Sequence, residues 1–374
     1  MTASGGAFPA PPDVSPGTDG MDREGSDPGT GRPVRIGLAG VGLVGRRHVE
    51  AIDACDGAEL VAVADPSSDA PRVASAAGAI HHVDLPAMLR EPLDAVILAT
   101  PNHLHRAGAL ECVAAGVPFL VEKPLAASVA DAREIVEAAE RAGVPALCGH
   151  HRRHDTRLRA AYATIARGQL GRLVTVQAAT WLPKPADYFD TAWRRGPEGG
   201  PLRINMIHDV DLLRWLVGEV AEVQAIEAHG RGDVAEDAAV ALLRFVSGAL
   251  GTLSVTDNVP APLSWEMTAG ENPAYPNVPG TYAWIGGTGG AIELPSGAVW
   301  HSPEGSWMAP ITRTAPALGT GGDPFVRQIA DLVSVVRAGT EPLVSARDGL
   351  AAVEIVEAVK RSAATGRPVR PGAD

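Results

Sequence analysis

The residues that decide the fold are Val34-Arg35-Ile36-Gly37-Leu38-Ala39-Gly40-Val41-Gly42-Leu43-Val44-Gly45. A short apolar, β-branched run leads directly into G-x-G-x-x-G, and the motif opens a helix. Each glycine has its own task in a nucleotide-binding turn. Gly40 permits the tight turn, Gly42 lets the backbone approach a pyrophosphate, and Gly45 lets helix and strand pack closely. The helix beginning at Leu43 and Val44 offers unpaired N–H groups and the positive end of its dipole to the phosphates. Asp65, twenty residues past Gly45, ends the next strand, where a carboxylate accepts hydrogen bonds from the adenosine ribose. The same charge repels a 2′-phosphate, and Pro66-Ser67-Ser68 holds no Arg or Lys to receive one. The cofactor expected is NAD rather than NADP. A ligand-free glycine turn with Asp65 as a surface cap is the alternative; strand, glycines, helix and acid in register favour the nucleotide.

Outward from this turn, strand candidates at 34–39, 59–65, 94–100, 119–122 and 146–149 alternate with helical stretches. In 130–142, Ile135, Val136 and Ala139 share one face, with Ser128 placed to cap the start and Gly143 the end. Such alternation implies right-handed crossovers and a parallel sheet covered on both faces. Past His154 the rhythm changes. A helix (156–166) and a strand (173–180) precede a long Pro/Gly/aromatic loop through Gly200, then a helix (205–216). Residues 240–246 and 249–255 face each other across Ser247-Gly248 as an antiparallel hairpin. The stretch 257–290 reads as loop, and helices over 325–338 and 348–364 close the chain.

The expected fold class is α/β: an N-terminal Rossmann domain with a parallel sheet and a C-terminal α/β domain with a large mixed, mainly antiparallel sheet. The expected organisation is a disordered Gly/Pro/Ser/Asp-rich tail (1–32), a Rossmann NAD domain (33–154) and a substrate-binding and oligomerisation domain (155–374). The helices of the last are too few to cover both faces of its sheet. Self-association through the open face, to a homodimer or homotetramer, follows.

Composition narrows the function classes. With 45% hydrophobic and 20% charged residues over 374 positions, the chain has the balance of a globular protein. Its net charge of −12 disfavours nucleic acid and anionic membranes as partners, since both are polyanions. A local basic pocket remains open around Arg152-Arg153, with His150, His151 and His154 beside them. No apolar run approaches the roughly 20 residues of a membrane span, and no signal peptide is visible. Cys55, Cys112 and Cys148 lack C-x-x-C spacing, which fits a reducing cytoplasm and draws no zinc site.

Six motifs in order carry a resemblance to a known family. They are the glycine turn, Thr100-Pro101-Asn102-His103-Leu104-His105, Glu122-Lys123-Pro124, Gly149-His150-His151-Arg152-Arg153, Trp193-Arg194, and Ile207-His208-Asp209-Val210-Asp211. From about Val34 to the C-terminus the chain resembles the glucose–fructose oxidoreductase / inositol dehydrogenase (Gfo/Idh/MocA) family. The resemblance implies that Thr100, Pro101, Asn102 and His105 border the cofactor, although an ordinary strand-exit turn explains Asn102 equally well. Lys123 ends a strand at the ligand-binding edge, where its charge can stabilise the oxyanion that develops during hydride transfer; relatives use this lysine so. Glu122 is read as orienting a cofactor group. His208 lies in a helix with Asp211 on the same face, a carboxylate placed to set the imidazole's tautomer. Such a histidine can take the proton of a secondary alcohol, and the resemblance makes it the acid/base; a core histidine capped within its own helix is the alternative.

One departure stands out. Many relatives place an aspartate where this chain has Ile204, and Asn205 beside it could give a neutral hydrogen bond to a substrate hydroxyl. Arg152 matches a substrate-contacting arginine in the inositol dehydrogenase branch, and Asp155 could reach ring hydroxyls; pairing of both across the domain junction is equally consistent. The implied reaction is reversible NAD-dependent oxidation of a ring secondary alcohol in a sugar, cyclitol or related polyol, without a metal because lysine supplies the electrophilic charge. Other readings are a glycosidase working by transient oxidation with bound NAD, a reductase of an imine or unsaturated ring, and a silent NAD-binding regulator. The pair Lys123 and His208 argues against the last.

Overall fold

A computed structural model describes residues 31–196, 198–272, 275–316 and 322–373. The expected tail lies, except for its last two residues, outside the described residues.

The first lobe runs β1 (Val34–Ala39), α1 (Leu43–Asp53), β2 (Ala58–Ala64), α2 (Ala70–Ala76), β3 (Ile80–His82), α3 (Leu85–Met88), β4 (Ala95–Leu98), α4 (His105–Ala115), β5 (Phe119–Val121), α5 (Val129–Ala142) and β6 (Ala146–Cys148). Its strands form one parallel sheet in the order β3-β2-β1-β4-β5-β6. From β1 the sheet grows one way through β2 and the other way through β4. The connections therefore part above β1, opening a crevice at the carboxyl edge where such sheets take ligands. Ile36, Leu38, Ile97 and Leu98 are fully buried, as in a sheet covered on both faces. Ser128 caps α5 by accepting from Asp131 N, and Gly143 ends it with φ +64°.

The second lobe comprises α6 (Thr156–Ala166), β7 (Leu173–Trp181), α7 (Ile207–Val217), β8 (Val220–Ala228), β9 (Ala238–Phe245), β10 (Leu250–Thr256), α8 (Trp265–Thr268), β11 (Ala283–Gly287), β12 (Ala291–Leu294), β13 (Val299–His301) and β14 (Thr312–Thr314). Among the described residues its eight strands run in the order β14-β13-β12-β11-β7-β10-β9-β8. Every pairing is antiparallel except β7 with β10. The stretch 257–290, expected as loop, contains α8 and β11.

The last two helices, α9 (Pro324–Ala338) and α10 (Ala346–Thr365), divide their allegiance. Ile329, Leu332, Val333 and Val335 of α9 enter the same apolar core as Val34, Ile36 and Leu38 of β1. Burying four aliphatic side chains contributes roughly 1.5–3 kcal/mol each, so α9 belongs by packing to the nucleotide lobe although it follows the second lobe in sequence. Val353, Ile355, Val356 and Val359 of α10 fill the core beneath the large sheet. Among the described residues no helix is long and apolar enough to cross a membrane.

Candidate active site

The glycine turn sits at the mouth of the crevice. Gly40 has φ +94°, and a Cβ there would lie 2.5 Å from the Ala99 carbonyl oxygen. At Gly45 a Cβ would collide with the Gly40 carbonyl, which is the close helix–strand contact a third glycine allows. Gly42 differs, since a Cβ there meets nothing within 4 Å. It is the N-cap of α1, with no side-chain cap and no acid in the first turn. Open backbone over an uncapped helix start is a cradle for phosphate. Asp65 follows β2; its Oδ2 accepts from Val41 N (2.8 Å) and its Oδ1 from Ser67 N (2.7 Å). Burial pushes its pKa up, but these bonds outweigh it and hold the carboxylate below its usual range. The residues thus fit NAD: uncapped N–H groups for the pyrophosphate and a fixed negative charge for the ribose end.

Past β4, Thr100 and Asn102 are half-buried and Pro101 exposed. His105 does not face the crevice. It is fully buried, with Nδ1 against the Pro124 carbonyl (2.9 Å) and Nε2 against the Thr100 carbonyl (2.8 Å). It ties two crevice loops together instead of touching a ligand.

Past β5 come Glu122 and Lys123. The buried Glu122 meets His48 Nε2 of α1 through Oε1 (2.7 Å) and accepts from Lys123 N through Oε2 (3.0 Å). Gly149 stands opposite, where a Cβ would lie 2.8 Å from this carboxyl group. Glu122 is therefore occupied by the protein, which departs from the role of orienting a cofactor. The Lys123 ammonium donates to the Ile204 carbonyl (3.2 Å). Burial lowers its pKa, opposed by Glu122 and assisted by Arg152.

Ile204 lies in a π-helical turn, Leu202–Met206, that runs directly into α7. The sequence spacing predicts a plain helix from 205, and the π turn replaces its start. Such turns recur at functional sites because they re-aim backbone groups, and here one carbonyl reaches Lys123. His208, in the first turn of α7, is 7% exposed. Its ring meets His150 and His151 edge-on, at 5.9 and 5.5 Å between centroids. Burial drives its pKa well down, with Lys123 and then Arg152 adding to the effect. Lys123 and His208 are thus brought together.

Asp211 does not orient His208. Its carboxylate is held at both oxygens by Arg153 (2.9 and 2.6 Å), and His208 Nδ1 has no hydrogen-bond partner among the described residues. A planar guanidinium grips a carboxylate through two parallel bonds, which one imidazole N–H cannot match. Asp209 accepts from Thr180 (2.6 Å) and Arg152 (3.2 Å), and burial lifts its pKa to about 6.

The residues read as substrate contacts are also engaged. Arg152 bridges Asp209 and Glu266 (2.7 Å), Asn205 donates to Glu266 (3.3 Å), and Asp155 caps α6 and pairs with Arg157 (2.6 Å). The basic pocket is likewise corrected: both arginines are matched by carboxylates, and burial lowers His150 to about 4 and His154 to about 3. Two groups of the site fall outside the motifs, Glu266 and His48, of which only His48, three residues past Gly45, stands close enough to a motif to be found.

The description "Oxidoreductase family, NAD-binding Rossmann fold" matches residues 34–150, and "Oxidoreductase family, C-terminal alpha/beta domain" matches residues 163–370. The D-apiose dehydrogenase of Paraburkholderia graminis is 31% identical over 89% of this chain and 88% of its own length. The inositol 2-dehydrogenase 1 of Mycolicibacterium vanbaalenii is 28% identical over 90% of this chain and 95% of its own. The WlbA dehydrogenase of Bordetella pertussis, solved in complex with NADH and UDP-GlcNAcA, is 30% identical with a TM-score of 0.75, covering 92% of this chain and 100% of that one. With both lobes matched and the nucleotide cradle intact, the chain belongs to the Gfo/Idh/MocA family of NAD-dependent oxidoreductases.

Proposed function

We propose that the protein reversibly oxidises a ring secondary alcohol of a sugar, cyclitol or related polyol. The observation that carries this reading is the pairing of Lys123 and His208 at the crevice. The lysine is hydrogen-bonded one helical turn ahead of the histidine and is the charge that acts on it most strongly. Gly40, Gly42, Leu43, Val44, Gly45 and Asp65 would hold the adenosine diphosphate end of the cofactor, and Thr100, Pro101 and Asn102 would border the remainder. The chemistry supplied by bound NAD⁺ is hydride acceptance.

One N–H of the Lys123 ammonium is taken by the Ile204 carbonyl, which leaves the others for the alcohol oxygen. As the hydroxyl proton departs, the ammonium stabilises the alkoxide. His208, kept neutral by burial among cations, takes that proton at Nε2, since Nδ1 is sealed away from solvent. Asp209, fixed by Thr180 and Arg152, anchors the helix start that carries His208.

The open face of the large sheet supports a homodimer or homotetramer. Along β9 the inward Ala239, Ala241, Leu243 and Phe245 are buried, while the outward Val240 and Leu242 are 53% and 56% exposed, with Ile226 and Leu250 beside them at 71% and 55%. The three cysteines are buried free thiols, and we read the setting as the cytoplasm.

Purified protein with NAD⁺ and a panel of inositols, hexoses and pentoses, followed by NADH absorbance, tests the reaction. At least one polyol should be oxidised, and Lys123→Ala and His208→Ala should each lower kcat by about a hundredfold or more with NADH affinity nearly unchanged. Turnover that survives both substitutions would overturn the assignment.

A further inference from the structure

One group at the crevice has no part in the chemistry above. α8 is fastened from within: Ser264, fully buried, caps it by accepting from Met267 N (3.2 Å), and Trp265 packs edge-on against Tyr282 while donating its indole N–H to Glu271. With Trp265 directed into the core, the next side chain meets Arg152 and Asn205. Glu266 Oε1 accepts from both, at 2.7 and 3.3 Å. Glu266 Oε2 is buried with no hydrogen-bond partner among the described residues, and the side chain is 14% exposed.

A buried carboxylate oxygen without a donor is rare and marks a place completed by water or a ligand. Protonation does not relieve it here. Burial pushes the Glu266 pKa up, but Arg152, the backbone and Lys184 together hold it below its usual range. An ionised carboxylate only accepts hydrogen bonds. Its charge also reaches the reacting end of the site, where it acts to raise the pKa of Lys123. A carboxylate on the ligand would meet like charge at this point, whereas a hydroxyl offers the missing donor.

We propose that Glu266 Oε2 accepts a hydrogen bond from the substrate hydroxyl on the carbon adjacent to the one oxidised, so that the site selects ring polyols carrying a vicinal diol. Arg152 and Asn205 are positioning residues for this carboxylate and do not themselves contact the substrate. This assignment rests on the dehydrogenase reading and adds a specificity determinant to it.

The test compares wild type, Glu266→Gln and Glu266→Asp. The probes are myo-inositol, D-glucose and D-xylose with NAD⁺, and, for the polyol oxidised best, its deoxy analogue lacking the hydroxyl beside the oxidised carbon. Glu266→Gln is nearly isosteric and keeps an acceptor for Arg152 and Asn205, so it should fold and keep NADH affinity, with the melting temperature lowered by a few degrees as the ion pair with Arg152 is lost. It should raise KM by about tenfold or more while kcat stays within about threefold, because the lost interaction binds ground and transition states alike. Wild type should disfavour the deoxy analogue by a similar factor, and Glu266→Gln should treat the two substrates nearly equally. Glu266→Asp should fall between, since the charge remains but is drawn back by one methylene. Oxidation of a polyol with KM unmoved in Glu266→Gln, or with the deoxy penalty intact, overturns this assignment alone. A panel from which nothing is oxidised overturns the dehydrogenase reading and this assignment with it.

Discussion

One methyl group added at either of two glycines in the same turn should have opposite consequences. Gly42 has φ −63° and ψ −165°, a conformation open to alanine, and a Cβ there finds empty space. Gly42→Ala should therefore fold normally, losing about 1 kcal/mol or less as a poorer helix cap. Its methyl would nevertheless stand over the N–H groups at the start of α1, where the pyrophosphate must come close to backbone. A hydrogen bond to a charged acceptor contributes about 1.5–3 kcal/mol, so losing even one should weaken NADH binding by about 10- to 150-fold. Gly45 is the reverse case. A Cβ there would lie 2.9 Å from the Gly40 carbonyl carbon and closer still to its oxygen, where ordinary contact begins at 3.4 Å. The obstacle is backbone, so no side chain can swing aside and α1 must lift from β1. Overpacking of this kind costs about 1–3 kcal/mol, a fall of roughly 1–4 °C in melting temperature for a body of this size. Calorimetric melting and NADH fluorescence titration of both variants separate the two effects. Native-like NADH affinity in Gly42→Ala, or an unchanged melting temperature in Gly45→Ala, would refute the description of this turn.

Asp65→Ser should narrow the preference for NADH over NADPH in parallel fluorescence titrations, because the fixed charge that repels a 2′-phosphate is removed; an unchanged ratio places the discrimination elsewhere. The pH profile of alcohol oxidation should follow His208. A base must be neutral to accept a proton, and burial holds this imidazole well below its ordinary 6.5. The rising limb of kcat/KM should then fall at lower pH than for a free imidazole and vanish in His208→Ala; a limb that persists in the variant identifies another base. Leu242→Lys, on the outward face of β9, should dissociate the oligomer by light scattering while leaving a folded monomer, and an unchanged mass would clear that face of an assembly role.

What could be read from the sequence was local. The strand, three glycines, helix and Asp65 lie within a few dozen residues and obey turn chemistry that needs no distant partner. The motifs around Lys123 and His208 likewise single these two out as candidates. The partners of side chains were not. Helical spacing puts Asp211 beside His208, but Arg153, from a turn 58 residues earlier, takes the carboxylate. Asn205 and Arg152 read as substrate contacts until Glu266, from a four-residue helix within an apparent loop, was brought against both. The strands β11 to β14 are three to five residues long. β14 is Thr-Arg-Thr, exposed at every position, and carries no apolar alternation to betray a strand. The π turn before α7 has no sequence signature, since its register is imposed by what surrounds it.

The return of α9 to the nucleotide lobe bears on how the chain is made. A ribosome has released everything through β6 long before Ile329, Leu332, Val333 and Val335 emerge, and until then one side of the β1 region lacks its cover. At roughly 5–20 residues per second, that interval lasts about 10–40 s. During it the nascent first lobe presents uncovered aliphatic surface, a target for holding chaperones and a hazard for neighbouring chains on the same message. The order of synthesis also limits how the molecule can be divided: a fragment ending after β6 would carry the whole glycine turn and still lack the helix that closes its core.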